Sequence, residues 1–270
     1  MSQPPFYHTL HSKYISTLPQ ILADPESYEG AMSSHLRLNG IYWAIAGLSL
    51  LHSPSDVISN LKLSSDDDDD DESSENCSHI AAFVMKCYNS ETGGFSGNIG
   101  HDTHLLYTLS AIQILAITDE LHLLNQIDDD TTYKHKIIQY ISSLQQSDGS
   151  FAGDTSKLTE IDTRFSYCAI SALSILHSLP SINTDTAAEY ILSCQNDVDG
   201  GFGVIPGGES HAGQIFCCIG ALAILGRLHH PDKLTLFSQK KLDLLCWWIS
   251  ERQCDSGGLN GRPEKQADVW

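Results

Sequence analysis

The stretch Cys194–Leu228, CQNDVDGGFGVIPGGESHAGQIFCCIGALAILGRL, decides the fold. An apolar segment ends in Asp199-Gly200-Gly201-Phe202, where paired glycines permit a sharp turn through positive φ and the aromatic plugs the turn back into a core. A second apolar segment then opens at His211. Its residues Ile215, Phe216, Ile219, Leu222 and Leu225 fall three or four apart, and Ala221, Ala223 and Ile224 leave little polar surface. That spacing predicts a helix over 211–226 that is buried nearly all round.

The same unit recurs at Gly93-Gly94-Phe95, Asp148-Gly149-Ser150-Phe151 and Ser256-Gly257-Gly258-Leu259. The plug position repeats after 56, 51 and 57 residues (95 to 151, 151 to 202, 202 to 259), room for two helices each. Each turn follows a segment ending in Cys or Gln (VMKCYNSE, ISSLQQS, ILSCQND, ISERQCD) and precedes a helix whose first turn carries Asp102, Asp162, His211 or Asp268. Helix, glycine turn, helix is the repeating unit, so the chain reads as all-α, with turn-following helices over 36–51, 102–118, 162–177 and 211–226 and no sheet. The preceding helices fall on HIAAFVMKCY, YKHKIIQYISSLQQ, residues 184–196 and 237–252, with Asp128 to Asp130 suiting the dipole at the start of the second.

Composition narrows the function. The chain has 270 residues and is 41% hydrophobic, enough for one large core, and the unbroken repeat argues for a single domain over 1–270. Fifteen Lys and Arg stand against 34 Asp and Glu, a net charge of −19 that repels nucleic acid and anionic membrane alike. Asp66 to Asp71 and Glu72 lie inside SSDDDDDDESSE, a like-charged run read as a disordered loop at about 64–75 whose deletion leaves the fold unchanged. The eight cysteines (77, 87, 168, 194, 217, 218, 246, 254) show no CxxC spacing and several sit in apolar segments, as buried free thiols do. With no signal pattern and no long apolar run, the expected location is the reduced cytoplasm. Trp43 reads as core before a ligand wall, and Arg164 as the partner of a carboxylate, Asp162 being nearest, with a structural ion pair and a substrate role both open.

Helices arranged as successive hairpins collect their N-termini, with free N–H groups and partial positive charge, at one rim. In a chain poor in bases, Gly261-Arg262-Pro263-Glu264-Lys265 sets two cations three apart after a glycine turn, and His211 holds the corresponding place one repeat earlier. On the residues alone two readings stay open: a diphosphate cradle, or a solvated loop beside a capping histidine.

GHDTHLLYTLSA, EIDTRFSYCA, GGESHAGQIFCC and above all SGGLNGRPEKQADV resemble the β subunits of the protein prenyltransferases, specifically the Rab (type II) geranylgeranyltransferase branch. The farnesyl and type I branches carry different wording at SHAGQI and GLNGRPEK. The resemblance runs from about residue 25 onward. It implies an α/α toroid of helical hairpins, a partner α subunit, and Rab substrates presented by an escort protein. It also implies transfer of a geranylgeranyl group from geranylgeranyl diphosphate to Rab cysteines held as zinc-bound thiolates. The family's diphosphate-binding positions fall on His211, with Ala212 and Gly213 beside it, and on Arg262 and Lys265; the first zinc ligand falls on Asp268. Where the family has a cysteine ligand, this chain has Trp270, and the family's histidine ligand would come later. The resemblance therefore implies a toroid incomplete at its C-terminus, and an inactive form or partner-binding scaffold that holds no zinc is the alternative expectation. Terpene cyclases, which share glycine-rich αα repeats, protonate with an acid of an ordered Asp-rich motif; the Asp-rich text here is the acidic run. They are discounted.

Overall fold

The computed structural model describes residues 10–15, 27–51, 78–156, 160–228 and 239–267. The acidic run at 64–75, Cys77, Asp268 and Trp270 lie outside the described residues. The chain divides into two compact units, 1–140 and 141–270.

In the first unit, α1 (Tyr28–Ser33) leads through a single 3-10 turn into α2 (Arg37–Leu51), followed by α3 (His79–Lys86) and α4 (Leu105–Ile117). A two-residue ribbon, β1 (Ile127–Asp128) with β2 (Thr131–Thr132), then leads into α5 (Tyr133–Ser143). The second unit holds α6 (Thr163–Ile175), α7 (Thr184–Ser193), α8 (Ala212–Ile224) and α9 (Gln239–Ser250). All eight expected helices are present, each within a few residues of its expected span. The expectation of no sheet is corrected by the ribbon: Asp129 sits at φ 59 in its turn and pairs with Lys136 at 3.2 Å. There Asp129 serves a hairpin turn.

Each glycine turn is closed by one antiparallel bridge: Tyr88 with Phe95, Gln145 with Phe151, Gln195 with Phe202, Gln253 with Leu259. The two glycines do different work. The first adopts positive φ, from +74° at Gly200 to +90° at Gly149, where a side chain is strained. The second is cramped: a Cβ on Gly94 would lie 2.5 Å from Thr103 Cγ2, and one on Gly201 2.5 Å from Ser210 Oγ. Phe95, Phe151 and Phe202 are fully buried, each worth roughly 1.5–3 kcal/mol of transfer free energy. Leu259, the fourth plug, is more than half exposed, a departure from the expected repeat.

In the first unit α2 packs on α4, and Leu38, Ile41, Ile45 and Leu48 of the one and Leu105, Ile112 and Leu115 of the other are buried. Within that pair Ser110 donates to Asn39 Oδ1 at 2.8 Å. Trp43, expected in the core, stands 64% exposed beside Tyr42. In the second unit α6 packs on α8 so closely that a Cβ on Gly220 would lie 2.9 Å from the Tyr167 ring. The expectation of all-round burial fails for α8: Ile215, Cys218, Ala221 and Leu222 are buried, but Phe216 on the opposite side is 65% exposed. Apolar spacing showed which residues share a helix and could not show that one flank is left open.

The free-thiol reading of the cysteines holds for the described residues. Cys87, Cys168, Cys194 and Cys218 are buried, Cys217 and Cys254 partly so, and Cys246 is exposed. No described helix is long and apolar enough to cross a membrane.

Candidate functional site

The turn-following helices begin on side-chain caps of one geometry. His104 Nδ1 accepts from Leu106 N–H at 3.1 Å, Asp162 Oδ1 from Arg164 N–H at 2.7 Å, and His211 Nδ1 from Gly213 N–H at 3.0 Å. In each the acceptor sits two residues before the donor, in extended backbone, and satisfies an N–H the helix leaves unpaired. Asp102, expected in the first turn of α4, lies before that helix, which starts at Leu105 on the cap His104. As an acceptor, His211 Nδ1 carries no proton in this arrangement, so the ring's donor is Nε2.

A second contact repeats with the caps. The first or second residue of a turn-following helix gives its N–H to a carbonyl two residues after the plug of a later turn: Leu38 to Gly97, Thr163 to Val204, Ala212 to Gly261, at 2.9, 3.0 and 2.9 Å. Each loop is thereby laid across a helix start. At α8 this brings Gly261-Arg262 onto His211, and an added Cβ at Gly261 would sit 2.8 Å from His211 Nε2. Glycine is required there by close approach.

The structure thus joins His211, Ala212, Gly213, Gly261 and Arg262 at one helix end within the second unit. It also corrects the picture of free N–H groups: Ala212 N–H is engaged by Gly261 and Gly213 N–H by His211. What the end offers an anion is the imidazole Nε2 side, the guanidinium and the helix dipole. Arg262 Nη1 pairs with Glu209 Oε2 at 2.7 Å, both side chains being substantially exposed at 40% and 64%. Lys265 is exposed, and among the described residues its ammonium has no partner. Its backbone is tied in: Asn260 Nδ2 donates to Lys265 O at 3.1 Å, and the loop folds over Glu264 at φ 60. Glu209 escaped the sequence reading, although GGESH places it two residues from His211.

The helix start one repeat earlier carries no such cradle. Arg164 is bound by Asp162, with Nη2 at 2.5 Å and Nε at 2.7 Å from Oδ2, in the pairing expected from sequence. Burial pushes the neighbouring Cys217 thiol up to about 12, with Asp162 adding to the shift and Arg164 opposing it, so this thiol stays protonated near neutrality and is no nucleophile.

No group of three or more His, Cys, Asp and Glu among the described residues is disposed to hold a metal ion. Those residues do not by themselves make a zinc site.

A family model described as the prenyltransferase alpha-alpha toroid domain matches residues 6–269. The chain belongs to the prenyltransferase alpha-alpha toroid family. The type-2 geranylgeranyl transferase β subunit of Saccharomyces cerevisiae is 40% identical over 260 residues, covering 96% of this chain and 70% of that protein. The corresponding Candida albicans subunit is 42% identical, covering 90% and 65%, and the Arabidopsis thaliana β subunit 1 is 49% identical, covering 90% and 64%. The chain thus spans about two thirds of the length of these relatives, all subunits of prenyltransferase enzymes. A solved structure of Candida albicans protein geranylgeranyltransferase-I complexed with GGPP matches with a TM-score of 0.70 at 21% identity, covering 97% of this chain and 72% of that one. It bears out the toroid fold of this prenyltransferase chain.

Proposed function

We propose that this chain is the catalytic β subunit of a Rab geranylgeranyltransferase, taking geranylgeranyl diphosphate as donor and the C-terminal cysteines of Rab proteins as acceptors. What supports it most is the laying of the Gly261-Arg262 backbone across the start of α8, against an imidazole whose Nε2 is the donor, with the next residue in the chain an arginine. Two cations and a polarised N–H at a helix N-terminus suit a diphosphate. In the reaction a cysteine sulfur bonds to C1 of the isoprenoid as the C1–O bond breaks and its electron pair leaves on the diphosphate. His211, Arg262 and Lys265 stabilise that developing charge. Ala212 and Gly213 serve by holding the helix start and its cap in place.

Zinc, by the resemblance, would supply the acceptor thiolate, and Asp268 is the residue we assign to it, nine positions after Leu259 as His211 is nine after Phe202. The α subunit, a Rab and its escort protein are the proposed partners and the cytoplasm the proposed location. The whole of 1–270 is proposed to belong to one toroid.

Arg262→Ala tests this reading. It removes a charge-assisted contact, and affinity for geranylgeranyl diphosphate should fall by about 1.5–3 kcal/mol, or roughly 13- to 160-fold. Equal binding by wild type and variant in calorimetry would refute the cradle. Transfer of labelled isoprenoid to a Rab, assayed with the α subunit and escort protein, tests the activity.

A further inference from the structure

The four glycine turns share one hydrogen bond that matches their residues one to one. The residue after the plug donates its N–H to the carbonyl of the residue preceding the bridge: Ser96 to Cys87, Ala152 to Leu144, Gly203 to Cys194 and Asn260 to Arg252, at 3.0, 3.0, 3.1 and 2.8 Å. In three turns the acceptor residue is a buried Cys or Leu, exposed by 2% or less. In the fourth it is Arg252, nearly as buried at 6%. Arginine is rarely buried without a carboxylate, and among the described residues Arg252 has none.

Its guanidinium is bound in another way. Nε donates to Trp248 O at 3.0 Å, the group lies 4.3 Å from the Trp248 ring centroid, and Nη1 donates to Asn260 Oδ1 at 3.2 Å. The other end of that amide, Asn260 Nδ2, donates to Lys265 O at 3.1 Å. A chain of contacts therefore runs from the body of α9 through Arg252 and Asn260 to the far end of the loop that carries Arg262 and Lys265. The repeat departs from its own pattern at two linked positions, in the turn that bears both cations. A fold that needed only a plug at 252 had Leu and Cys available, as its sibling turns show.

We propose that Arg252 is a positioning residue for the diphosphate cradle, locking Asn260 and through it the 261–265 loop so that Arg262 and Lys265 are held at the start of α8 before ligand arrives. The inference rests on the cradle reading given above. Its physical content is preorganisation: a loop already fixed loses less conformational freedom when it closes its cations on an anion.

The test compares the full chain with Arg252→Leu, Asn260→Ala and the double variant, reading melting temperature, hydrogen exchange of amides 259–267, and calorimetric binding of inorganic pyrophosphate and geranylgeranyl diphosphate. Because Leu144 and Ala152 occupy these positions in a sibling turn, the double variant should keep the wild-type melting temperature. Exchange of the loop amides should quicken roughly tenfold and affinity for both ligands fall by a similar factor, as loss of one hydrogen bond to a charged group predicts. The double variant should be no worse than either single one, since both break the same link. Wild-type exchange in Arg252→Leu overturns the proposal. Should the leucine variants fail to fold, Arg252→Lys keeps charge and length without the planar fork and should show the same quickened exchange; wild-type exchange there overturns the proposal equally. If the wild-type chain binds neither ligand, the cradle reading falls with the ligand role of Arg252, while the exchange measurements still decide whether the latch exists.

Discussion

Glu209 is the residue through which the proposed cradle can be tuned without altering its cations. Its carboxylate holds Arg262 at 2.7 Å, and an arriving diphosphate must displace it or share the guanidinium with it. With side chains 40% and 64% exposed, the pair belongs to the surface class, worth about 0–1 kcal/mol. A carboxylate left roughly 6 Å from a phosphate charge adds about 0.7 kcal/mol of repulsion in water. Glu209→Gln removes both costs and should tighten binding of geranylgeranyl diphosphate by roughly 0.5–1.5 kcal/mol, about 2- to 12-fold. The gain should be largest at low ionic strength and shrink as salt screens it. Titration calorimetry with inorganic pyrophosphate, then with the prenyl diphosphate, at two salt concentrations measures it. Most of the gain should vanish in an Arg262→Ala background. If Glu209→Gln binds no tighter at low salt, Arg262 does not meet the anion and the reasoning fails.

The positive-φ glycines give a paired test of the turns. Alanine at Gly149 would drive its Cβ to 2.1 Å from the Thr186 carbonyl and should cost more than about 3 kcal/mol, whereas at Gly207, with φ +77° and open space, the cost should be the left-handed strain alone, about 1–2 kcal/mol; equal losses in urea denaturation would contradict the assignment. Native alkylation should mark Cys246 first among the described cysteines and Cys168 and Cys218 last, as peptide mapping can show. Burial pushes the Cys87, Cys194 and Cys217 thiols up to about 12, 11 and 12. Their folded values lie above the ordinary one of about 8.5, so the stability they carry is complete below that pH and is lost progressively as pH climbs from there through the folded values; a stability profile flat from pH 8 to 11 would count against it.

The fold was legible because its signals are local. A Gly-Gly-Phe turn states its own conformation within four residues, and a helix flanking it needs only spacing of three and four. What spacing lacks is the identity of the neighbour. Phe216 and Trp43 satisfy the pattern of buried helices as well as Ile215 and Ile45 do, yet stand open, because periodicity records which residues share a face and not what covers it. The ribbon at 127–132 is two residues a side, too short for any period to register.

The site divides along the same line. His211 and Arg262 could be paired from sequence because the repeat register places one at a helix start and the other in the next turn's loop. The structure shows that His211 caps α8 through Nδ1 with Nε2 facing Gly261, and this leaves the proposed anion role to the ring's second nitrogen. In the proposed site, capping and anion binding fall to the two nitrogens of one residue. Glu209 and Arg252 stayed hidden for a different reason. Each acts through a partner fixed by loop closure, Glu209 on Arg262 fifty-three residues later and Arg252 on Asn260 across the bridge. Composition gives such charges a sign without a position. The repeat itself held the missing signal: aligning ISERQCD with ILSCQND sets Arg252 against a buried cysteine, and a charged residue where the sibling turns are apolar marks the turn in which the loop's position matters most.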